Sequence, residues 1–311
     1  MKKKWIVSTL GIFGLLILIC LGTFKYLRET PFSPKAFAKK DRSYFNPIFI
    51  TKWTAGECPC LPIQIGDKVI SSHLDLGFKG YFSINSSTLD QIEEKTLLGS
   101  QIMYGFQGHQ YKKNVFKIPE IQISGKPFYS IEVQEEAKDF YANGSLVKDG
   151  VEPSPGESGS IGWKIFQNTN LLLDLRNKKI AFCDSLSTLK KQGYSVESFE
   201  KTPLIIERGL IEIDAKTADG YLRCVLDTGC TCNLLNTKND QGKSMGELVW
   251  NSENYYETPL FQINGMEFGA TTFRRIPIQI PIHIEAILGM DFLSENIVFL
   301  DFSNNLAYFS H

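Results

Sequence analysis

Two aspartates occur in the same short pattern in the two halves of the chain. Residues 74–77 read Leu-Asp-Leu-Gly and residues 226–229 read Leu-Asp-Thr-Gly, an offset of 152 residues, and both follow apolar runs. Two carboxyl groups held about 3 Å apart cannot both ionise, so they share one proton. The charged member can take a proton from a bound water while the neutral member gives one to a carbonyl. The pattern therefore predicts paired acid–base chemistry if the fold brings Asp75 and Asp227 together.

Two further blocks repeat in the same order along the chain. Residues 160–166 (Ser-Ile-Gly-Trp-Lys-Ile-Phe) match residues 287–293 (Ile-Leu-Gly-Met-Asp-Phe-Leu) at an offset of 127 residues. Between the aspartates and these blocks, residues 121–128 match residues 261–268. The smaller offset means that the first copy has extra residues between its Asp block and its Gly block. We assign much of this excess to a Gly-, Pro- and Ser-rich surface loop at 143–160. Three ordered matches indicate an internal duplication.

The elements that must position the aspartates are short and rich in β-forming residues. Period-two stretches such as residues 211–214 (Ile-Glu-Ile-Asp) and residues 276–284 are separated by Gly and Asn turns, which indicates strands. Helical patterns are confined to short pieces, chiefly residues 86–98 and 164–168. The sequence therefore predicts a mostly β fold with closed or sandwiched sheets.

Residues 225–229 (Val-Leu-Asp-Thr-Gly), followed by the block at 287–293, resemble the signature of pepsin- and retropepsin-type aspartic proteases. The resemblance covers roughly residues 60–311 and implies two tandem retropepsin-like half-barrel lobes in a pseudo-dimeric monomer. It implies that Asp75 and Asp227 are catalytic. It also implies that neighbouring residues support their loops: Gly77, Gly162, Thr228, Gly229 and Gly289. The implied activity is an endopeptidase that hydrolyses extended peptide or protein substrates without a cofactor.

The first copy departs from that family at one position. Leu76 stands where the family carries a threonine or serine hydroxyl that hydrogen-bonds to the partner loop, and leucine cannot make that bond. A catalytically inactive binding or scaffold protein with the same fold therefore remains the alternative. In the second copy, Cys230 replaces the usual alanine or serine, which is a milder change.

A glycine-rich stretch between the Asp and Gly blocks is a candidate flap. Residues 103–108 read Met-Tyr-Gly-Phe-Gln-Gly, and the resemblance implies that Tyr104, Gly105 and Gly108 belong to a hairpin that closes over substrate. An ordinary hairpin explains the same pattern. Residues 251–256 occupy the corresponding place in the second copy.

Metal, thiol and nucleic-acid chemistry have little support in the sequence. The Cys230-Thr231-Cys232 pair has no second ligand cluster of the kind that zinc sites require, so we predict no metal. The four histidines, including His73, lie in no nucleophile motif and are interpreted as surface or packing residues. Lysine and arginine total 33 against 34 acidic residues, so the net charge of -1 argues against nucleic acid as a partner.

The N-terminus predicts a membrane anchor. Lysines at positions 2–4 precede an apolar run at 5–24, which is about 20 residues long and can cross roughly 30 Å of hydrocarbon as a helix. A cleaved signal peptide and lipidation of Cys20 are the alternatives. The lysine head favours an extracytoplasmic body, which we predict, although six basic residues between 25 and 42 favour the opposite orientation. The predicted segments are the anchor (1–24), a basic tether (25–44), the first lobe (45–184), a linker (185–202) and the second lobe (203–311).

Overall fold

The structure is a computed structural model, and its described residues are 44–48, 50, 57–104, 110–136, 157–237, 247–250, 253–278 and 283–311. The predicted anchor at 1–24, the tether up to residue 43 and most of the predicted loop at 143–160 lie outside these ranges. Within the described ranges, no helix is both long enough and apolar enough to cross a membrane.

The first half of the chain forms a seven-stranded sheet. Its strands are β2 (Cys60–Ile65), β3 (Lys68–Asp75), β4 (Phe82–Asn85), β5 (Thr96–Tyr104), β6 (Gln110–Ile123), β7 (Lys126–Glu136) and β8 (Glu157–Gly162). The strand order is β2-β3-β8-β4-β7-β6-β5, and β2 also pairs with β6, so the sheet curls back on itself. Most neighbouring strands pair antiparallel, but β8 lies parallel to β3 and β7 lies parallel to β4.

The second half forms a ten-stranded sheet. Its strands are β12 (Ile205–Glu207), β13 (Leu210–Thr217), β14 (Gly220–Leu226), β15 (Leu234–Asn236), β16 (Glu247–Trp250), β17 (Glu253–Thr258), β18 (Phe261–Ile263), β19 (Met266–Glu267), β20 (Thr271–Ile276) and β21 (Ala286–Leu288). The order is β16-β17-β20-β15-β21-β14-β13-β18-β19, and β12 pairs with β13. Here β21 lies parallel to β14, as β8 does to β3 in the first half.

A six-stranded antiparallel sheet joins the two halves. It contains β1 (Phe45–Ile48), β9 (Asn170–Asp174), β10 (Lys179–Cys183), β11 (Glu200–Pro203), β22 (Ile297–Asp301) and β23 (Leu306–Ser310), in the order β1-β10-β9-β22-β23-β11. The central pair is β9 with β22, one strand from each half. Both strands are buried along their whole length, so this sheet fixes the two halves against each other.

Three short helices occur in the described residues: α1 (Ser86–Leu89), α2 (Leu186–Lys191) and α3 (Met290–Leu293). Single 3₁₀ turns occur at Trp163–Phe166, Leu175–Asn177 and Val196–Ser198. The predicted mostly β fold is confirmed. The segment at 185–202 that the sequence analysis assigned to a linker contains α2, one 3₁₀ turn and most of β11.

Two element predictions are wrong. The helix predicted at 86–98 ends at Leu89, because the residues from Thr96 onwards pair with β6 in a long hairpin, and this pairing overrides local helix propensity. The strand predicted at 276–284 ends at Ile276. Beyond it, the Asn236 side chain accepts a hydrogen bond from the Ile278 N–H and donates one to the Ile284 carbonyl. A side chain therefore replaces a strand partner there.

The repeat found in the sequence is also a repeat in strand pairing. Leu74 pairs with Ile161 between β3 and β8, and Leu226 pairs with Leu288 between β14 and β21. All four side chains are buried in one hydrophobic core that contains residues of both halves. Each aspartate therefore stands at the end of a strand whose position is fixed by a buried parallel neighbour.

Candidate active site

The two aspartates lie against each other's loops. A methyl group built on Gly77 would lie 2.4 Å from Cγ of Asp227, and one built on Gly229 would lie 2.5 Å from Cγ of Asp75. The contact is reciprocal, and the charge of Asp227 acts on the pKa of Asp75. Glycine is required at both positions because any side chain would displace the opposing carboxyl group. The structure thus brings together the two residues that the sequence predicts to be a pair.

The two other glycines singled out in the sequence hold the loops in shape. A methyl group on Gly162 would lie 2.2 Å from the Gly80 carbonyl oxygen, and one on Gly289 would lie 2.3 Å from the Cys232 carbonyl oxygen. The end of β8 therefore packs inside the loop that follows Asp75, and the end of β21 packs inside the loop that follows Asp227. Only a residue without a side chain permits this close approach of backbone to backbone.

Thr228 links the two active-site loops. Its hydroxyl donates to the Leu74 carbonyl at 2.7 Å and accepts from the Leu76 N–H at 3.1 Å, and the Thr228 side chain is completely buried. Leu76 is also completely buried, but it has no hydroxyl and so cannot make the reciprocal bonds to the second loop. Of the two reciprocal hydroxyl links that the sequence resemblance implies, the structure therefore contains the one made by Thr228.

The two carboxyl groups are electrostatically unequal. Burial raises the pKa of Asp75 well above its ordinary value, and the charge on Asp227 and the hydrogen bond to it raise this pKa further. Burial also raises the pKa of Asp227, but hydrogen bonds from the Gly229 N–H, the Asp75 carboxyl and the Gly77 N–H oppose that rise. The two N–H groups lie 2.8 and 3.2 Å from Oδ1 of Asp227. The two backbone N–H groups therefore favour the charged form of Asp227, while burial and the neighbouring charge favour the protonated form of Asp75.

A third carboxylate, which the sequence analysis did not single out, lies near this pair. Glu136, at the end of β7, is buried, and its charge also contributes to the raised pKa of Asp75. Its Oε1 accepts a hydrogen bond of 2.5 Å from the Ser83 hydroxyl. Among the described residues, its Oε2 has no hydrogen-bond partner. The pairing of β4 with β7 brings Glu136 to this place, and no local motif marks it.

The Cys58 thiol also lies near the pair, and the sequence analysis did not predict this neighbour. Burial raises the pKa of the Cys58 thiol, and the charges of Asp75 and Asp227 raise it further. Cys60 pairs with His73 across β2 and β3, and its Sγ lies 3.3 Å from Nδ1 of His73. Continuing the same register by two residues places Cys58 level with Asp75. Recognising the Gly66-Asp67 turn as a hairpin would have revealed this neighbour.

These thiols do not form an evident nucleophile or metal centre. Hydrogen bonding to Cys232, burial and the charge of Asp227 raise the pKa of the Cys230 thiol, so both Cys230 and Cys58 are held as neutral thiols. All six cysteines in the described ranges are unpaired by disulfides. Over the same ranges, no group of three or more His, Cys, Asp or Glu side chains is arranged to hold a metal ion.

The candidate flap lies only partly within the described residues. Strands β5 and β6 form an antiparallel hairpin in which Tyr104 pairs with Gln110. Gly105 and Gly108 lie outside the described residues. In the second half, β16 pairs antiparallel with β17, from Glu247 with Tyr256 to Trp250 with Glu253. A role of either hairpin in closing over substrate stays a prediction.

Comparison with known proteins assigns this site to no family. The chain matches neither a protein-family model nor a curated protein.

Proposed function

We propose that the chain is an aspartic endopeptidase with two pepsin/retropepsin-like lobes, which hydrolyses peptide bonds in extended substrates. The observation that carries the proposal is the reciprocal contact of Gly77 with Asp227 and of Gly229 with Asp75. This contact supports the proposal because it holds each carboxyl group against the loop of the other, at the junction of the two halves. Two carboxyl groups sharing one proton are the minimal machinery for activating water against an amide.

The inequality of the two carboxyl groups assigns their roles. Asp227, whose charge is stabilised by two backbone N–H groups, takes a proton from a water molecule held between the carboxyls. The water oxygen bonds to the scissile carbonyl carbon while Asp75 gives its proton to the carbonyl oxygen. The tetrahedral intermediate then collapses as the C–N bond breaks. The proton on Asp227 passes to the leaving nitrogen, and a proton from the intermediate returns to Asp75.

The apolar segment at 5–24 would tether this enzyme to a membrane, with the body on the extracytoplasmic side. Full-length protein fused to a reporter at its C-terminus would test the orientation through protease accessibility in intact cells. Protection of the reporter from external protease would contradict the extracytoplasmic placement.

The second candidate function is a catalytically inactive binding or scaffold protein with the same fold. The observation in its favour is Leu76, which supplies no hydroxyl to the second loop, so only one of the two loops contributes a side-chain hydroxyl link, that of Thr228. This link is less rigid than a reciprocal one, and catalysis depends on the placement of both carboxyl groups to within about 0.5 Å.

One experiment separates the two candidates. The full-length chain, purified in detergent, would be incubated with a peptide library from acid to neutral pH, together with Asp75→Asn and Asp227→Asn variants. Asp67→Asn is the matched control, since Asp67 is exposed in the β2–β3 turn. We expect cleavage by the wild type and the control, and none by the other two variants. Cleavage by none of the proteins would refute the enzyme and favour the scaffold. Cleavage that survives Asp75→Asn would indicate a dimer that uses Asp227 twice.

A further inference from the structure

Three cationic side chains converge beside the loop that follows Asp75. Lys79 is the fourth residue after this aspartate, and its side chain is half-buried. Burial lowers the pKa of Lys79, and the positive charges of Lys164 and Arg208, both close enough to repel it, lower it further. Lys79 and Lys164 come from the first half of the chain and Arg208 from the second. The cluster therefore lies where the two halves meet.

The backbone around this cluster is fixed by specific contacts. Arg208 and Gly209 form the two-residue turn between β12 and β13, with φ angles of 54° and 80°. A methyl group on Gly209 would lie 3.5 Å from Cβ of Lys79, so this turn rests against the Lys79 stem. The indole Nε1 of the buried Trp163 donates to the Gly209 carbonyl at 2.8 Å. These contacts therefore hold in place the backbone segments from which the three cationic side chains extend.

Lys79 differs from the other two cations in having no acidic partner among the described residues. Arg208 has an ion pair with Glu207 at 3.2 Å and also interacts with the charge of Glu212, and the charge of Glu132 stabilises protonated Lys164. Lys79 makes no ion pair and no side-chain hydrogen bond with any other described residue, and the nearest charges that act on it are positive. A half-buried ammonium group without a counter-ion costs free energy. One carboxylate would supply the counter-ion that Lys79 lacks among the described residues.

We infer that Lys79, supported by Lys164 and Arg208, forms a subsite for a carboxylate of the peptide substrate. The inference rests on the proposed endopeptidase function and adds a substrate class to it. Four residues of chain span at most about 14 Å, so the subsite lies within reach of a substrate residue a few positions from the scissile bond. The carboxylate belongs either to an aspartate or glutamate side chain or to the C-terminus of the substrate.

The test compares matched peptides as substrates of the full-length chain in detergent. Each pair carries aspartate or asparagine, or glutamate or glutamine, at one position around the cleaved bond, with a free or an amidated C-terminus. We expect the acidic or free-carboxylate member to have a kcat/KM about tenfold higher, as a charged hydrogen bond provides. Lys79→Ala should bring the ratio close to one, and Lys79→Glu should favour lysine peptides instead. Lys216→Glu, at the opposite end of β13, is the charge-reversal control and should keep the wild-type ratio.

The outcome separates this inference from the proposed function. Cleavage of neutral peptides that is lost in Asp227→Asn, combined with equal acid-to-amide ratios for wild type and Lys79→Ala, would overturn the subsite and leave the function intact. If no peptide is cleaved, the function fails, and the subsite is tested by fluorescence anisotropy with labelled acidic and amide peptides. Weaker binding of the acidic peptide to Lys79→Ala than to wild type would then support the subsite, and equal binding would overturn it. An unfolding curve for each variant checks that it is folded.

Discussion

Replacement of Thr228 by valine should weaken both the fold and the activity, since it removes the cross-loop link while preserving the shape of the side chain. The hydroxyl makes two hydrogen bonds with the opposite loop, to the Leu74 carbonyl at 2.7 Å and from the Leu76 N–H at 3.1 Å. Each bond contributes about 1 kcal/mol, and a buried partner left unsatisfied costs about 1–3 kcal/mol. We expect Thr228→Val to lower the free energy of unfolding by about 2–4 kcal/mol.

Thr228→Ser is the matched control, because it keeps the hydroxyl and loses only a methyl group, at a cost of about 1 kcal/mol. The assay is urea unfolding of the full-length chain in detergent, followed by the fluorescence of its four tryptophans, of which Trp163 is buried where the two halves meet. Peptide cleavage by the same variants gives kcat/KM, which should fall in the valine variant because Thr228 lies next to Asp227. If the valine variant is as stable and as active as the serine variant, the two hydrogen bonds do not link the loops.

Three further predictions concern the aspartate pair. Glu136→Gln removes a charge that raises the pKa of Asp75, so the alkaline limb of the kcat/KM profile should move to lower pH, and an unmoved limb would contradict this role. Because the pKa of Asp75 is higher in the folded than in the unfolded state, its contribution to stability is complete below about pH 4 and declines as pH rises through the folded pKa. The stability of Asp75→Asn relative to wild type should therefore increase with pH in urea titrations, and a constant difference would refute the shift. Gly77→Ala places a methyl group 2.4 Å from Cγ of Asp227 and should abolish peptide cleavage. The control Gly66→Ala, where the new methyl group meets open space, should keep the activity and lower the free energy of unfolding by only about 1 kcal/mol because of its positive φ. An active Gly77→Ala enzyme would show that the loops are not in contact.

Local patterns in the sequence predicted the mostly β fold and the residues of the paired site. Period-two runs indicated strands, because alternation of side chains across a sheet is a local property. The repeated Leu-Asp-x-Gly pattern predicted that Asp75 and Asp227 are equivalent, and the shared pairing of Leu74 with Ile161 and of Leu226 with Leu288 has the same offsets as the sequence repeat. Local patterns failed where distant partners decide, as in the residues after Leu89, which pair with β6.

Only the tertiary structure decided how unequal the two aspartates are. Their sequence motifs differ at Leu76 and Thr228, but the inequality in proton affinity arises from backbone N–H groups of both loops that converge on Asp227. Glu136 lies near the pair because β7 pairs with β4, and the spacing of these residues along the sequence does not indicate how close they are in space. Electrostatic effects depend on separation and burial in space, and both are set when the two halves assemble around their shared sheet. The sequence by itself therefore determined which residues form the pair, and the assembled fold determined which of them receives the backbone N–H groups that favour a charged carboxylate.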